Sequence, residues 1–326
     1  MFSFNPPKAF LESNGSRIGL DCRSPTAFVS HAHADHLPPV NAKSRILASK
    51  ETLDLIKAIK GNGFETLDAR ELNAQLLNAG HVLGSRQLRA ESDGKTFTYA
   101  GDFCLSDSLL FKGAETKHSD EILIEATYGS PEYVFPERTL VYEEIAAWVE
   151  NEERRGKNIV LGGYCLGKAQ ELIAVLNKYC GIAPLVNEKT FALSEIHKKH
   201  GLKLDFIHAQ SDEGAELLKN GFAAVLPMHM VSAGLARRLE HAYSRGVSTA
   251  IATGWSMRRT SMSANASFCL SGHADFNELI EYVERVNPKK VYTTHGFSKE
   301  LASNLRKRGY DAVAVEDAAN KQKKLV

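Results

Sequence analysis

Up to about residue 133 the apolar positions come in short runs that end in polar or glycine-containing turns. They are 18–22 (IGLDC), 26–31 (TAFVSH), 45–49 (RILAS), 74–80 (AQLLNAG), 97–102 (FTYAGD) and 121–127 (EILIEAT). Runs of this length and β-branched content predict strands feeding loops. From about residue 139 the period lengthens. TLVYEEIAAWVENEERRG (139–156) carries apolar residues at helical spacing and a closing glycine, so it predicts a helix. Strand 158–163 and helix 168–179 follow, then strand 222–227, helix 231–246 and strand 248–254. Strand, turn and helix in alternation predict a parallel α/β layer. After 266 the first texture returns, in ASFCLSGHAD (266–275) and KKVYTTHG (289–296), each followed by an amphipathic helix. No repeat or low-complexity linker separates these regions. The pattern reads as one domain interrupted by another: 1–133, an insertion over 134–265, and 266–326.

Length and composition agree with that picture without sharpening it. A chain of 326 residues suits two domains, and 43% hydrophobic with 24% charged residues suits a folded protein. A net charge of +1 neither favours nor excludes an anionic polymer as partner, since such a footprint can be local. Five scattered cysteines without a CxxC pair fit reduced thiols, and no stretch has the length and apolarity of a signal segment or a membrane span. The expectation is a cytoplasmic protein.

The densest chemistry lies in SHAHADHL, Ser30 to Leu37, where His31, His33, Asp35 and His36 follow an apolar strand. Imidazole and carboxylate are common ligands of zinc and similar divalent ions, and two histidines one residue apart at a strand end can converge on one ion. Asp35 and His36 are placed to reach a second. Two four-coordinate ions need further ligands, and the strand ends supply them: His81 in AGHVLGS, Asp102 in YAGD and His295 in VYTTHG. A carboxylate such as Asp102 can bridge two cations.

In their order, HAHADH, AGHVLGS and YAGD, with Leu20-Asp21-Cys22 upstream, resemble the metallo-β-lactamase superfamily. LIEATYG (123–129), CLGKAQELI (165–173), SGHAD (271–275) and THG (294–296) are similar to its β-CASP branch of nucleases. The resemblance implies an αββα sandwich with a dinuclear site at one edge, interrupted by a β-CASP α/β cap domain. It assigns His31, His33 and His81 to one ion, Asp35, His36 and His295 to the other, and Asp102 to both. Asp21 would orient a ligand histidine by hydrogen bonding. The metals implied are two divalent ions, zinc or manganese. His273 of SGHAD would contact the scissile phosphate and donate the proton, Glu125 of LIEATYG would orient it, and Asp35 would join the catalytic set.

Two weaker features lie in the insertion. In GYCLGKAQEL a helix start at Gly167 with Lys168 in its first turn can bind phosphate, or can simply shape the turn and pack the core. In TGWSMRRT, Trp255 beside Arg258 and Arg259 can form a stacking and phosphate platform. His229, His197 and His200 match no motif. The histidine at THG accompanies RNA processing in part of the branch. The short chain and its ending, with LIEATYGSPEY and GKAQ, look most like the ligase-associated DNA exonucleases. The expected activity is therefore a 5′ to 3′ DNA exonuclease, with a homodimer and DNA repair or ligase partners as the associations the resemblance suggests. An RNA-processing endo- or exoribonuclease is the alternative. A non-catalytic nucleic-acid-binding subunit is the alternative of another class.

Overall fold

Buried positions along the outer segments of the chain build two sheets with a shared core. In the computed structural model, residues 6–7, 14, 40, 42, 259–263 and 319–326 fall outside the described part of the chain. The described residues form two compact units. One comprises 1–107, 111–134 and 273–326; the other, inserted into it, comprises 108–110 and 135–272. The second boundary lies later than the sequence pattern suggests, because Ala266–Phe268 pairs with Val247–Ala252 and so completes the inserted sheet.

In the first unit one sheet runs in the order Phe2–Asn5, Lys8–Ser13, Ser16–Leu20, Thr26–Phe28, Arg45–Leu47, Glu65–Thr66. The other runs Ala312–Ala314, Lys290–Thr294, Glu121–Glu125, Lys95–Tyr99, Arg86–Ser92, Ala74–Asn78. Phe2, Leu11, Ile18 and Phe28 from the first sheet and Leu88, Phe97, Tyr99 and Leu123 from the second belong to one buried cluster. On its other side the second sheet buries Ile122 and Ile124 against Leu279 and Val283 of helix Phe276–Val286 and Leu301 and Leu305 of helix Ser298–Lys307. Helix Lys50–Lys60 buries Leu55 and Ile56. The layers are those of a metallo-β-lactamase sandwich, and the loops at the carboxyl ends of the strands carry the histidine and aspartate motifs. Among the described residues no helix is long and apolar enough to cross a membrane.

The inserted unit is a parallel sheet in the order Ile207–His208, Leu185–Val186, Ala223–Pro227, Asn158–Gly163, Val247–Ala252, Ala266–Phe268. Helices Arg138–Arg154 and Lys168–Val175 bury Ile145, Val149, Leu172 and Ile173 in its core. Under these helices lies a buried charge network. Glu171 receives Lys168 Nζ at 2.6 Å, Arg138 Nη1 at 2.5 Å and the Tyr142 hydroxyl at 2.5 Å. Burial works to raise the Glu171 pKa, but the charges of Lys168 and Arg138 outweigh it and hold the carboxyl at about 2.

Removing one member of a buried, hydrogen-bonded charge group leaves the others uncompensated, at a typical cost of about 3–5 kcal/mol. Glu171→Gln is expected to lower the urea midpoint accordingly. Because the folded carboxyl titrates below its ordinary value of about 4.3, its contribution is complete above about pH 4.5 and is lost as the pH falls toward 2. Both tryptophans, Trp148 and Trp255, lie in this unit, so tryptophan emission reads its unfolding. A midpoint unchanged by the substitution would remove the network from the unit's stability.

Candidate metal centre

The site is built by turns that leave the carboxyl ends of strands in the first unit. After Thr26–Phe28 the chain places His31, buried, and His33 on one turn; after Ala74–Asn78 comes His81, and after Lys95–Tyr99 comes Asp102. The turns need close backbone approach. Gly101 has φ +59, and a Cβ there would lie 2.6 Å from Ser30 Cβ, so glycine is required where the Asp102 turn meets the histidine turn.

Four donors converge. His33 Nδ1 lies 3.0 Å from His31 Nε2 and 3.2 Å from His81 Nε2, and Asp102 Oδ2 lies 3.5 Å from His31 Nε2 and 3.8 Å from His81 Nε2. Donors around a tetrahedral zinc at about 2.0–2.1 Å stand about 3.3–3.4 Å apart, so the spacing fits a divalent ion. The protonation states fit it also. Burial, then repulsion from His36 and His33, pushes the His31 pKa well below its ordinary value, which keeps the ring neutral as a metal ligand must be.

The second expected set gathers less closely. His36 Nε2 lies 3.3 Å from Asp102 Oδ2 and 3.8 Å from Asp35 Oδ2, while the Asp35 side chain is 82% exposed. The His295 ring centre is 5.9 Å from that of His36. Asp35 and His295 fall outside the groups whose donor atoms all lie within 4.8 Å of one another. His295 follows strand Lys290–Thr294 with φ 60, and Asp21 has φ 47, a left-handed conformation uncommon outside glycine that is found repeatedly at functional sites. Burial works to lower the His36 pKa, yet Asp102 and Asp21 carry it well above the ordinary value.

Asp21 ties both groups together. Its Oδ2 accepts from His36 Nδ1 at 2.7 Å, from the Ser30 hydroxyl at 2.5 Å and from the Tyr99 hydroxyl at 2.8 Å; its Oδ1 accepts from the Ser30 backbone N–H at 2.7 Å. The single Ser30 proton is given to Asp21, so its oxygen accepts from His31 Nδ1 at 2.9 Å. One carboxylate thereby fixes the ring nitrogens of His36 directly and of His31 through a serine, leaving each Nε2 for coordination. The sequence reading missed Ser30 and Tyr99. Their signal was weak but present: a hydroxyl immediately before HxH and another three residues before Asp102. Losing such outer partners typically costs 10–100-fold in metal affinity. Ser30→Ala is expected to weaken zinc by roughly that factor in chelator competition; an unchanged affinity would show that the serine link does not hold His31.

Beside the ligands, Glu125, the last residue of its strand, is buried and receives the Phe103 N–H at 2.9 Å. It accepts from His273 Nδ1 at 2.9 Å and 3.1 Å, and His273 Nδ1 lies 3.9 Å from Asp102 Oδ2. Burial works to lower the His273 pKa, but Glu125 and Asp102 raise it to about 9. With Nδ1 held by Glu125, the second ring nitrogen is the one left to carry an acidic proton.

The remaining expected residues belong to the inserted unit. Lys168 does not present its charge to an anion as expected: it is buried, with its ammonium beside Glu171. Gly167 heads the helix with φ +87, its N–H donating to Gln170 Oε1. Trp255 and Arg258 are exposed in and after the turn Gly254–Met257; Arg259 lies outside the described residues.

Comparison with known proteins adds four likenesses. Residues 264–315 match the family model of the Zn-dependent metallo-hydrolase RNA specificity domain. The chain is 32% identical, over 91% of its length, to 29% of a protein of Opitutus terrae called "Probable DNA ligase". It is 30% identical, over 52% of its length, to 51% of the "RNase J-like protein" of Methanocaldococcus jannaschii. Together these likenesses support a metallo-β-lactamase nuclease family of the β-CASP type. The chain thus spans 29% and 51% of these two relatives' own lengths. A crystal structure of a protein of unknown function from Enterococcus faecalis shares this chain's fold, with a TM-score of 0.54 at 15% identity over 84% of this chain and 76% of that one.

Proposed function

We propose that this β-CASP chain is a metal-dependent phosphodiesterase that hydrolyses nucleic acid, acting on DNA as a 5′ to 3′ exonuclease. The observation that carries the hydrolytic part is the juxtaposition of the His31, His33, His81 and Asp102 donors with the Glu125–His273 pair. A pair of divalent cations, when bound, supplies positive charge to the phosphodiester and acidifies a water to a nucleophile at neutral pH. The ligands proposed are His31, His33 and His81 for one ion and Asp35, His36 and His295 for the other, with Asp102 shared. Asp35 serves with them at the reacting phosphate. Glu125 orients His273, which gives its proton to the departing O3′ as the P–O bond breaks, leaving a 5′-phosphorylated nucleotide.

DNA is favoured because the likeness to the "Probable DNA ligase" runs through 91% of the chain. RNA is the second reading, favoured by the RNA specificity domain over 264–315 and by the "RNase J-like protein". End-labelled DNA and RNA strands, with and without a 5′-phosphate, are to be incubated with EDTA-stripped and metal-restored protein. The expected result is metal-dependent release of mononucleotides from the 5′ end of DNA. Cleavage confined to RNA overturns the substrate assignment, and no cleavage with zinc or manganese overturns the enzyme.

A further inference from the structure

At the carboxyl ends of its central strands the inserted unit exposes large apolar side chains where most of the surface does not. Tyr164 (50% exposed) follows Asn158–Gly163, Met230 (40%) follows Ala223–Pro227, and Trp255 (36%) and Met257 (38%) follow Val247–Ala252. The three strands are neighbours, and the pairs Gly163 with Pro227 and Gly162 with Ile251 bring their ends to one level. The strand order reverses here as well. The chain leaving Asn158–Gly163 crosses past Ala223–Pro227 to reach Leu185–Val186, whereas the chain leaving Ala223–Pro227 crosses the other way to reach Val247–Ala252. Such a reversal opens a crevice outside the carboxyl ends of a parallel sheet, where ligands of α/β proteins bind.

The loops directly after these three strands carry charge of one sign, whereas the neighbouring strand Leu185–Val186 is followed by exposed Glu188, paired with His208 at 2.9 Å. Among the described residues, 163–170, 227–239, 252–258 and 264–270 contain no aspartate or glutamate in a chain that has 39 of them. Exposed His229 and Arg258 lie among them. The amino end of the same sheet differs, with Glu153, Glu213 and Glu216 lining a cavity there. Aromatic faces over adjacent strand ends, with an arginine beside them and no carboxylate in the loops that carry them, suit a ligand that has both flat rings and phosphates.

We propose that Tyr164 and Trp255 form a stacking platform for the bases of single-stranded nucleic acid, with Arg258 supplying charge and His229 a ring N–H donor for its phosphates. The choice of ligand rests on the nucleic-acid reading above. Duplex bases keep their faces stacked on one another, so the platform takes single strands. An acidic peptide would use the cations and leave the aromatic faces unused.

The test uses the full chain in EDTA, so that nothing is cut, and measures anisotropy of a labelled (dT)12, a duplex of equal length, and competition by a glutamate decamer. Tryptophan emission gives a second readout, because Trp148 packs 5.8 Å from Phe268 while Trp255 is exposed. The expected result is tighter binding of (dT)12 than of duplex, with quenching that disappears in Trp255→Phe. Kd should rise roughly tenfold in Tyr164→Ala and in Trp255→Ala, and return most of the way in Trp255→Phe. Equal affinity for duplex, a Kd indifferent to both alanines, or effective competition by the glutamate peptide overturns the platform. Metal-restored cleavage with a Kd indifferent to both alanines would sink the platform and leave the nuclease standing. Binding as expected, with no hydrolysis under any cation, would do the reverse.

Discussion

Asp102→Asn is expected to lower phosphodiester hydrolysis by about 10³-fold, the upper range for losing one electrostatic contributor at a reacting phosphate or carbonyl. The substitution keeps shape and volume but removes the charge. Asp102 Oδ2 lies within 3.3–3.9 Å of ring nitrogens of His36, His31, His81 and His273, so one oxygen faces four rings. Burial works against its ionisation, yet His36 and His273 hold its pKa well below the ordinary range. The asparagine variant is expected to retain fewer metal ions per chain after dialysis, read by elemental analysis. A variant with full metal content and near-normal turnover would show that Asp102 is neither ligand nor charge centre.

The second large effect falls on His273. His273→Ala should cost about 10²–10⁴-fold in kcat, the usual range for a positioned proton donor, with metal content unchanged. The pH profile separates this role from a structural one. In the proposed role the protonated ring is the reactive form; its pKa is raised to about 9, so activity should persist below that value and fall as the pH rises through it. Cations, when held by the neighbouring donors, would repel the ring proton and push this limb downward. Glu125→Gln, which keeps a hydrogen-bond acceptor but removes the attracting charge, should push it further down while leaving more activity than His273→Ala. An alkaline limb at the same pH in Glu125→Gln would contradict the pairing.

The convergence of the His31, His33, His81 and Asp102 donors was legible because their chemistry is concentrated in a few consecutive residues placed just after apolar strands. His31 and His33 follow a strand of the first sheet, and His81 and Asp102 follow strands of the second, so they meet where the strand ends of the two sheets come together. What the sequence hid depends on neighbours it does not state. The hairpin Phe2–Asn5 with Lys8–Ser13 buries Phe2, Phe4 and Leu11, yet its residues around two prolines show no run of strand length. Strand Arg86–Ser92 (RQLRAES) carries charges at several positions and reads as a loop. Helix Lys50–Lys60 buries only Thr52, Leu55 and Ile56, too little apolar surface to announce itself. Lys168 reads as an anion ligand because Glu171, three residues on, is silent about direction; folding turns the two together with Arg138. Ser30 and Tyr99 acquire their meaning only from Asp21, whose backbone at φ 47 brings its carboxylate to both.

The central claim is that side chains from separate strand ends hold divalent cations in one pocket. Anomalous diffraction at the zinc absorption edge from crystals grown with zinc tests it most directly. The expected result is one peak about 2.0–2.1 Å from His31 Nε2, His33 Nδ1 and His81 Nε2. A second peak is expected about 3.5–4 Å away, beside His36, with Asp102 between them. No anomalous density among these residues, or a peak only at some surface histidine such as His229, would contradict the account.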